Sequence, residues 1–457
     1  MTNQKLLSLN LFAFFMSATI FYIDVDGNYL QFFLIVLIIQ YVIVISASLI
    51  KYNVYNSSNL FLYSFCLFLL PIPFLGIFDK TIVINLTKYA NYNADIKDIM
   101  SVIFSISLFI FAYGLSVIIR KGGACKKNVE LSKRSDKAFY LQKIALIIIL
   151  SLSPFTILKL YNDFLIVKTH GYLYLYSDYQ KSSFILRFSW YITKVLFPFL
   201  LITYLSKRQF FIVFVFFVVL NVFDFMKGSR GLILQPLFFF LWYYYIFISQ
   251  KKPKVNNALL VGLSVFILSS IVLALRGDYS SISFDEIPVM LGLFFTSQGV
   301  SFYVNVYFME LKDVLINPSN FYILSPIYDF FLSFVTDVGR NVEYVSSTLS
   351  LDHKLTYSLA PGYYVNGNGL GSSIISETYA LGGLITVFIS GFFLHYIVHK
   401  IEEYVRSGSI IPILFSWFWI QALIWSPRGS ILSFVLPFLI CVCFYMIMSF
   451  LLNICRR

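Results

Sequence analysis

The sequence predicts an all-α protein that crosses a membrane many times, and three observations carry that reading. Hydrophobic residues make up 59% of the 457 and charged residues only 12%, with a mean hydropathy of +0.80. A soluble core has no room for so much apolar surface. The apolar residues also come in runs of roughly 20, the length of a membrane helix, rather than the short alternating runs of a β-barrel. Finally, the Lys and Arg residues gather in a few stretches between the runs, as residues that set topology do.

In order, the runs are 6–23, 28–50, 59–78, 99–119, 144–160, 183–205, 210–226, 232–249, 257–275, 376–398, 410–427 and 430–452. The first has no small-residue cleavage site after it and continues into "DVDGNYL", so it reads as an uncleaved span. A half-polar run, 289–308 (VMLGLFFTSQGVSFYVNVYF), is the ambiguous thirteenth. If it does not cross and the N-terminus is inside, the inner segments hold 19 of the 34 Lys and Arg residues, including "RKGGACKKNVELSKRSDK", "QKKPK" and the terminal "RR". If it crossed, "CRR" would lie outside. The count favours about twelve transmembrane helices with both termini cytoplasmic and one large outer, periplasmic segment over 276–375.

In that segment, 289–308 becomes interfacial or re-entrant, with Ser297, Gln298 and Ser301 suited to a wet cavity. Residues 325–345 set Ile327, Phe330, Phe331, Phe334 and Val338 at helical spacing, the pattern of an amphipathic helix. The chain thus divides into a nine-span region (1–275), the outer segment (276–375) and a three-span region (376–457), within one integrated membrane domain.

The net charge of +12 is read as topology rather than nucleic-acid binding. None of the five cysteines falls in an outer loop, so no disulfide is expected. No CxxC pair or metal-spaced His/Cys cluster occurs, and no metal and no cofactor are expected.

Four arginines lie on the outer side, against the topological preference. Arg230 sits in "KGSRG" with Lys227 beside it, Arg276 in "LALRGDYS", Arg340 in "FVTDVGRNVEY" and Arg428 in "IWSPRGSIL". A single arginine at a span end snorkels to headgroups or pairs with an acid such as Asp224 or Asp278. Several together suit a shared anionic ligand, because guanidinium stays charged and grips phosphate oxygens in a two-pronged fork.

The stretch "SLAPGYYVNGNGLGSSIISETYALGGL" (358–384) adds a second group. Gly367, Gly369 and Gly371 let backbone approach a ligand closely. Ser372 or Ser373 is placed to cap the next helix, whose N-terminus favours an anion. Glu377 stands at the outer end of span 376–398, where a carboxylate is either paired with an arginine or functional as a base. His353 in "SLDHKLTYS" is a second candidate base or a solvated loop histidine. The surrounding aromatic residues suit sugar stacking or an ordinary interfacial belt.

On "KGSRG", "RGD", "FFTSQGVS" and "GLGSSIISETYALGG", the chain resembles Wzy-type O-antigen and capsular polysaccharide polymerases. About twelve spans and a large late outer loop agree, and a GT-C-like architecture is compatible with them. The resemblance implies a glycosyltransferase of the plasma (bacterial inner) membrane. It would polymerise oligosaccharide repeat units carried on undecaprenyl pyrophosphate at the outer face, for lipopolysaccharide or capsule, by metal-independent transfer. Arg230, Arg276 and Arg428 would hold donor and acceptor pyrophosphates and offset leaving-group charge. Arg340, Lys227, Gln298, Gly369, Gly371 and Ser372 would complete the binding surface. Glu377 or His353 would accept the acceptor hydroxyl's proton. The implied partners are the donor and acceptor lipids, the bilayer, a chain-length regulator and a flippase, and no nucleic acid. The rival readings are a lipid-linked oligosaccharide flippase, which would show two similar six-span halves, an O-antigen ligase, and a membrane sugar O-acetyltransferase.

Overall fold

A computed structural model of the chain describes residues 3–24, 26–85, 94–120, 136–175, 183–203, 205–227, 230–249, 292, 295–317, 321–333, 335–336 and 339–455. Among these residues every regular element is helical. The helices are α1 (Asn3–Ile23), α2 (Leu30–Lys51), α3 (Ser57–Leu69), α4 (Pro71–Phe78), α5 (Lys80–Asn85), α6 (Ile96–Ile119) and α7 (Asp136–His170). Then come α8 (Phe184–Leu196), α9 (Lys207–Leu220), α10 (Val222–Met226), α11 (Arg230–Tyr243), α12 (Val300–Glu310), α13 (Lys312–Leu315) and α14 (Ser325–Leu332). The last are α15 (Val342–Ser347), α16 (Leu351–Leu359), α17 (Pro361–Val365), α18 (Ile374–Val405), α19 (Ile410–Trp425) and α20 (Val435–Cys455).

Among the described residues, seven stretches are long and apolar enough to span a membrane: α1, α2, α6, α7, Phe184–Leu201, α18 and Ile431–Ile454. The pair α3–α4, bent by 53°, makes an eighth if it is one broken span. The bend falls at Leu70, ahead of Pro71 and Pro73, whose rings remove amide donors from the ladder. This polytopic, all-helical picture agrees with the sequence; among the described residues several of the twelve expected runs are not single long helices, for local reasons. The run 210–226 is interrupted at Asn221, leaving α9 with 14 residues and α10 with five. A helix of 14 residues is only about 21 Å long, short of a hydrocarbon core of about 30 Å. The run 232–249 begins as α11 and ends in a π-helical turn, Tyr244–Ser249. The α19 helix has 16 residues. The expected span 257–275 lies outside the described residues.

The segment 276–375 also departs from expectation. In place of one amphipathic helix over 325–345 there are two short ones, α14 and α15. The Asp329 carboxylate accepts the Thr348 hydroxyl at 2.7 Å and the Leu349 amide at 3.1 Å, and Asn341 caps α15 through the Tyr344 amide at 2.7 Å. These tertiary and capping bonds outweigh the periodic pattern. In the half-polar run, the described α12 packs inside the first unit: Ser301 to Met309 are buried throughout.

The chain forms two compact units. The first comprises 1–124, 284–400 and 424–432; the second comprises 125–283, 401–423 and 433–457. In the first unit α6 is apolar all round and buried on nearly every side, as a central helix must be. Stacked pairs Phe14–Phe111 and Phe21–Phe104, at 4.3 and 4.5 Å, join it to α1. The Ser107 hydroxyl donates to the Gln40 side chain on α2 at 2.6 Å, so these polar groups find partners inside the apolar bundle. Gly391 of α18 lies against α6 so closely that a Cβ there would meet the Phe109 carbonyl at 2.6 Å.

One feature of α18 is invisible to periodicity. At Gly382 and Gly383 the backbone leaves the helix, and Gly383 has φ of +66°, a conformation that side chains disfavour. The Thr386 hydroxyl lies 2.5 Å from the Thr378 carbonyl and 2.9 Å from that of Gly383, satisfying acceptors that the break releases. The helix therefore has a short N-terminal half carrying Glu377 and a long C-terminal half carrying His395.

In the second unit α7 packs along α8, and Phe197, Phe217, Phe239 and Phe240 surround Trp417 at 4.9 to 5.8 Å.

Because a backbone carbonyl faces Gly391, Gly391→Val should lower the unfolding midpoint in detergent by an overpacking cost of about 1–3 kcal/mol. Ile389→Val, at a site 45% exposed, should leave it nearly unchanged. Equal midpoints for the two variants would mean that α18 does not approach α6 as described.

Candidate functional site

The strongest concentration of sequence-predicted residues lies in the first unit, where two distant turns meet. The Ile374 amide at the start of α18 donates to the Ser426 carbonyl at 2.9 Å. Beside it, a Cβ on Gly371 would come within 3.2 Å of the Arg428 carbonyl. The "GLGSSI" loop and the "WSPRGS" turn are therefore in direct backbone contact.

Glu377 sits one turn into α18 and is 1% exposed. The Ser372 hydroxyl donates to its Oε1 at 2.7 Å, and the Ser430 side chain stands close to the same carboxyl. Its Oε2 is buried with no hydrogen bond, and no basic side chain pairs with it among the described residues. Pairing with an arginine, the ordinary expectation for a carboxylate at this depth, is thus not what holds it. Ser373 caps the helix by accepting the Ile375 amide at 3.3 Å. The two adjacent serines divide the work expected of either one.

Asn305 of α12 fixes the floor. Its Nδ2 donates to the Ser301 carbonyl at 2.7 Å and to the Ser373 hydroxyl at 3.3 Å, and Ser376 donates to its Oδ1 at 2.5 Å. The Arg428 Nη1 donates to the Gln298 side-chain Oε1 at 3.4 Å, and its guanidinium lies 5.8 Å from the ring centres of Phe68 and Trp425. Arg428, Gln298, Gly371, Ser372 and Glu377 are thereby gathered in one region. Asn305 and Ser376 were missed by sequence reading, since small polar residues in apolar runs carry no chemical signature of their own.

Arg340, Gly369 and His353 form an adjoining group organised by Asp352. The Arg340 Nη2 donates to Asp352 Oδ2 at 2.8 Å, and the Gly371 amide donates to Oδ1 at 2.7 Å. Gly371 has φ of +88°, and Gly369 has no side chain where the Arg340 guanidinium rests. Asp352 thus pins the glycine-rich loop to the segment that carries Arg340. Burial alone would raise its carboxyl, but Arg340, His353 and the Gly371 amide outweigh burial and hold it below the ordinary carboxylate value. His353 shares a 2.7 Å hydrogen bond between Nδ1 and the Tyr364 hydroxyl. Burial pushes its pKa down to about 4; Asp352 opposes that shift and Arg340 adds to it. His353 is therefore held neutral in a folded lobe rather than solvated. Asp352 stands beside His353 in the sequence, but nothing in the sequence marks it as the partner of Arg340.

Lys227 lies in the second unit. Its ammonium is held by Asp224 at 2.5 Å and Asp163 at 3.2 Å, with Lys159 also on Asp163 at 2.7 Å and Lys194 3.6 Å from Asp224. Asp224, expected as a partner for Arg230, serves two lysines. Arg230 is the first residue of α11. Arg276 lies outside the described residues. Among the described residues no group of three or more His, Cys, Asp or Glu side chains stands close enough to hold a metal ion.

The state of His353 sets a pH dependence. The unfolded imidazole, near 6.5, binds a proton between pH 6.5 and 4 that the folded one does not. Acid therefore favours unfolding: stability is full above about 6.5 and falls as pH drops toward 4. Asp352 titrates below that window. Thermal midpoints of the wild type should decline across it, and those of His353→Gln should decline less; equal slopes would remove His353 as the cause.

No curated protein and no solved structure matches the chain. The family model for the O-antigen polysaccharide polymerase Wzy matches residues 6–457, nearly its whole length. The multi-pass helical chain therefore belongs to the O-antigen polysaccharide polymerase Wzy family.

Proposed function

We propose that this chain lengthens a surface polysaccharide by transferring a growing glycan from one undecaprenyl pyrophosphate carrier to the terminal sugar of a second lipid-linked repeat unit. Membership of the family supports repeat-unit polymerisation in general. The observation that favours the region around Glu377 as its centre is a buried carboxylate without an ion pair among the described residues, oriented by Ser372 beside the turn of Arg428.

In this reading the acceptor hydroxyl oxygen attacks the anomeric carbon of the donor sugar. The bond from that carbon to the pyrophosphate oxygen breaks, and the pyrophosphate lipid leaves with the bonding pair. Glu377 takes the hydroxyl proton. Arg428 offsets the charge that grows on the leaving group, so the transfer needs no metal. Gln298 orients Arg428, Asp352 holds Arg340 and the glycine loop, and His353 is the second candidate base. The reaction takes place at the outer face of the plasma membrane, with both chain termini in the cytoplasm.

Surface polysaccharide from cells carrying Glu377→Gln should collapse from a ladder to single repeat units, with turnover down about 10²–10⁴-fold and the protein still in the membrane. Arg428→Ala should give the same pattern with a loss of about 10²-fold or more. A full ladder from both variants would refute the site; a lack of any repeat unit outside would point to a flippase. Asn366→Cys, at an exposed loop position, should react with an impermeant thiol reagent in intact cells. Labelling only after lysis would invert the topology.

A further inference from the structure

A cavity of 320 Å³ lies within the second unit, sharing no residue with the region around Glu377. Its wall includes Trp190, Thr193, Lys194, Phe217, Asn221 and Trp417, and Lys194 is the only charged side chain on it among the described residues. Behind that wall the cluster described above holds three lysines against two carboxylates. Asp163 is engaged by Lys159 and Lys227, and Asp224 is closest to Lys227 at 2.5 Å. Lys194, 3.6 Å from Asp224 and with 33% of its side chain exposed, is the least neutralised. Its ammonium stacks 4.0 Å from the Trp190 ring. The buried indole N–H of Trp190 has no acceptor among the described residues.

A net positive charge at membrane depth is costly unless an anion joins it. The cation and the unpaired N–H both call for acceptor oxygens, while phenylalanine, tryptophan and proline make up much of the remaining wall. At about 30 Å³ per water-sized volume the cavity holds about ten such volumes, enough for a phosphate group and a short apolar stretch. An oligosaccharide repeat unit is too large for it.

We propose that this cavity is a binding site for a phosphate group, delivered as the headgroup of an anionic lipid, with Lys194 and Trp190 as its donors and the aromatic wall receiving the first carbons of the chain. The site goes beyond the polymerase reading and does not depend on it.

The test uses the full chain in neutral maltoside detergent and reads the thermal midpoint. Dioctanoyl phosphatidic acid should raise it saturably, and dioctanoylglycerol should not. Lys194→Gln should raise the half-saturating concentration at least tenfold. Trp190→Phe, which keeps the ring and removes the N–H, should raise it several-fold and covers the case in which the lysine variant fails to fold. If inorganic phosphate alone gives the same Lys194-dependent shift, the phosphate site stands and its source is the soluble anion. A shift that is equal for the diacylglycerol, or unchanged in both variants, overturns the proposal.

Discussion

The hydrogen bond from the Ile374 amide to the Ser426 carbonyl fixes two loops that are more than fifty residues apart in the sequence. Its importance follows from the environment. The first amides of a helix have no partner within the helix, and in an apolar surrounding each must find one. By taking Ser426 as that partner, α18 begins where the "WSPRGS" turn ends. Gly371, Ser372, Glu377 and Arg428 then have little freedom in where they sit. The next amide, of Ile375, is capped by the Ser373 hydroxyl, which Asn305 in turn holds in place.

A second layer of constraint comes from charge. Asp352 accepts both from Arg340 and from the Gly371 amide. One carboxylate therefore ties the segment of α15 and α16 to the loop that leads into α18. Glu377 is treated differently. It is 1% exposed but its carboxyl receives only hydroxyl neighbours among the described residues. A group kept in that condition is exposed to whatever enters the region, and this separates it from the structural ion pairs elsewhere in the chain.

The class of the protein was plain in the sequence because hydropathy alone decides it, and α1, α2, α6 and α18 follow the apolar runs closely. The shorter helices did not follow. Asn221 and the π turn at Tyr244–Ser249 interrupt runs whose average hydropathy is high, and an average cannot register one interrupting residue. The periodicity over 325–345 correctly brought Ile327, Phe330 and Phe331 into one helix, but Asp329 bonding to Thr348 folds the chain back before the pattern ends. In the candidate site, Glu377 and the glycines were legible because a carboxylate and a glycine cluster are rare in apolar surroundings. Asp352 and Asn305 were not, because their roles exist only through partners brought close by folding. The pairing of Lys227 with Asp224 was partly legible as an i,i+3 spacing.

The lysine–aspartate cluster of the second unit has a consequence for how this sequence can drift. Lys159, Asp163, Lys194, Asp224 and Lys227 share partners, so replacing any one of them changes the electrostatic balance of the other four. Effects at such positions do not add, and removing a single charge from a buried network strands its neighbours. Changes there are accessible mainly as compensated sets, whereas exposed residues of the same unit such as Phe188, Phe211 and Val215 can be exchanged one at a time. The five positions therefore form a single heritable unit inside a surface that is otherwise free to diverge.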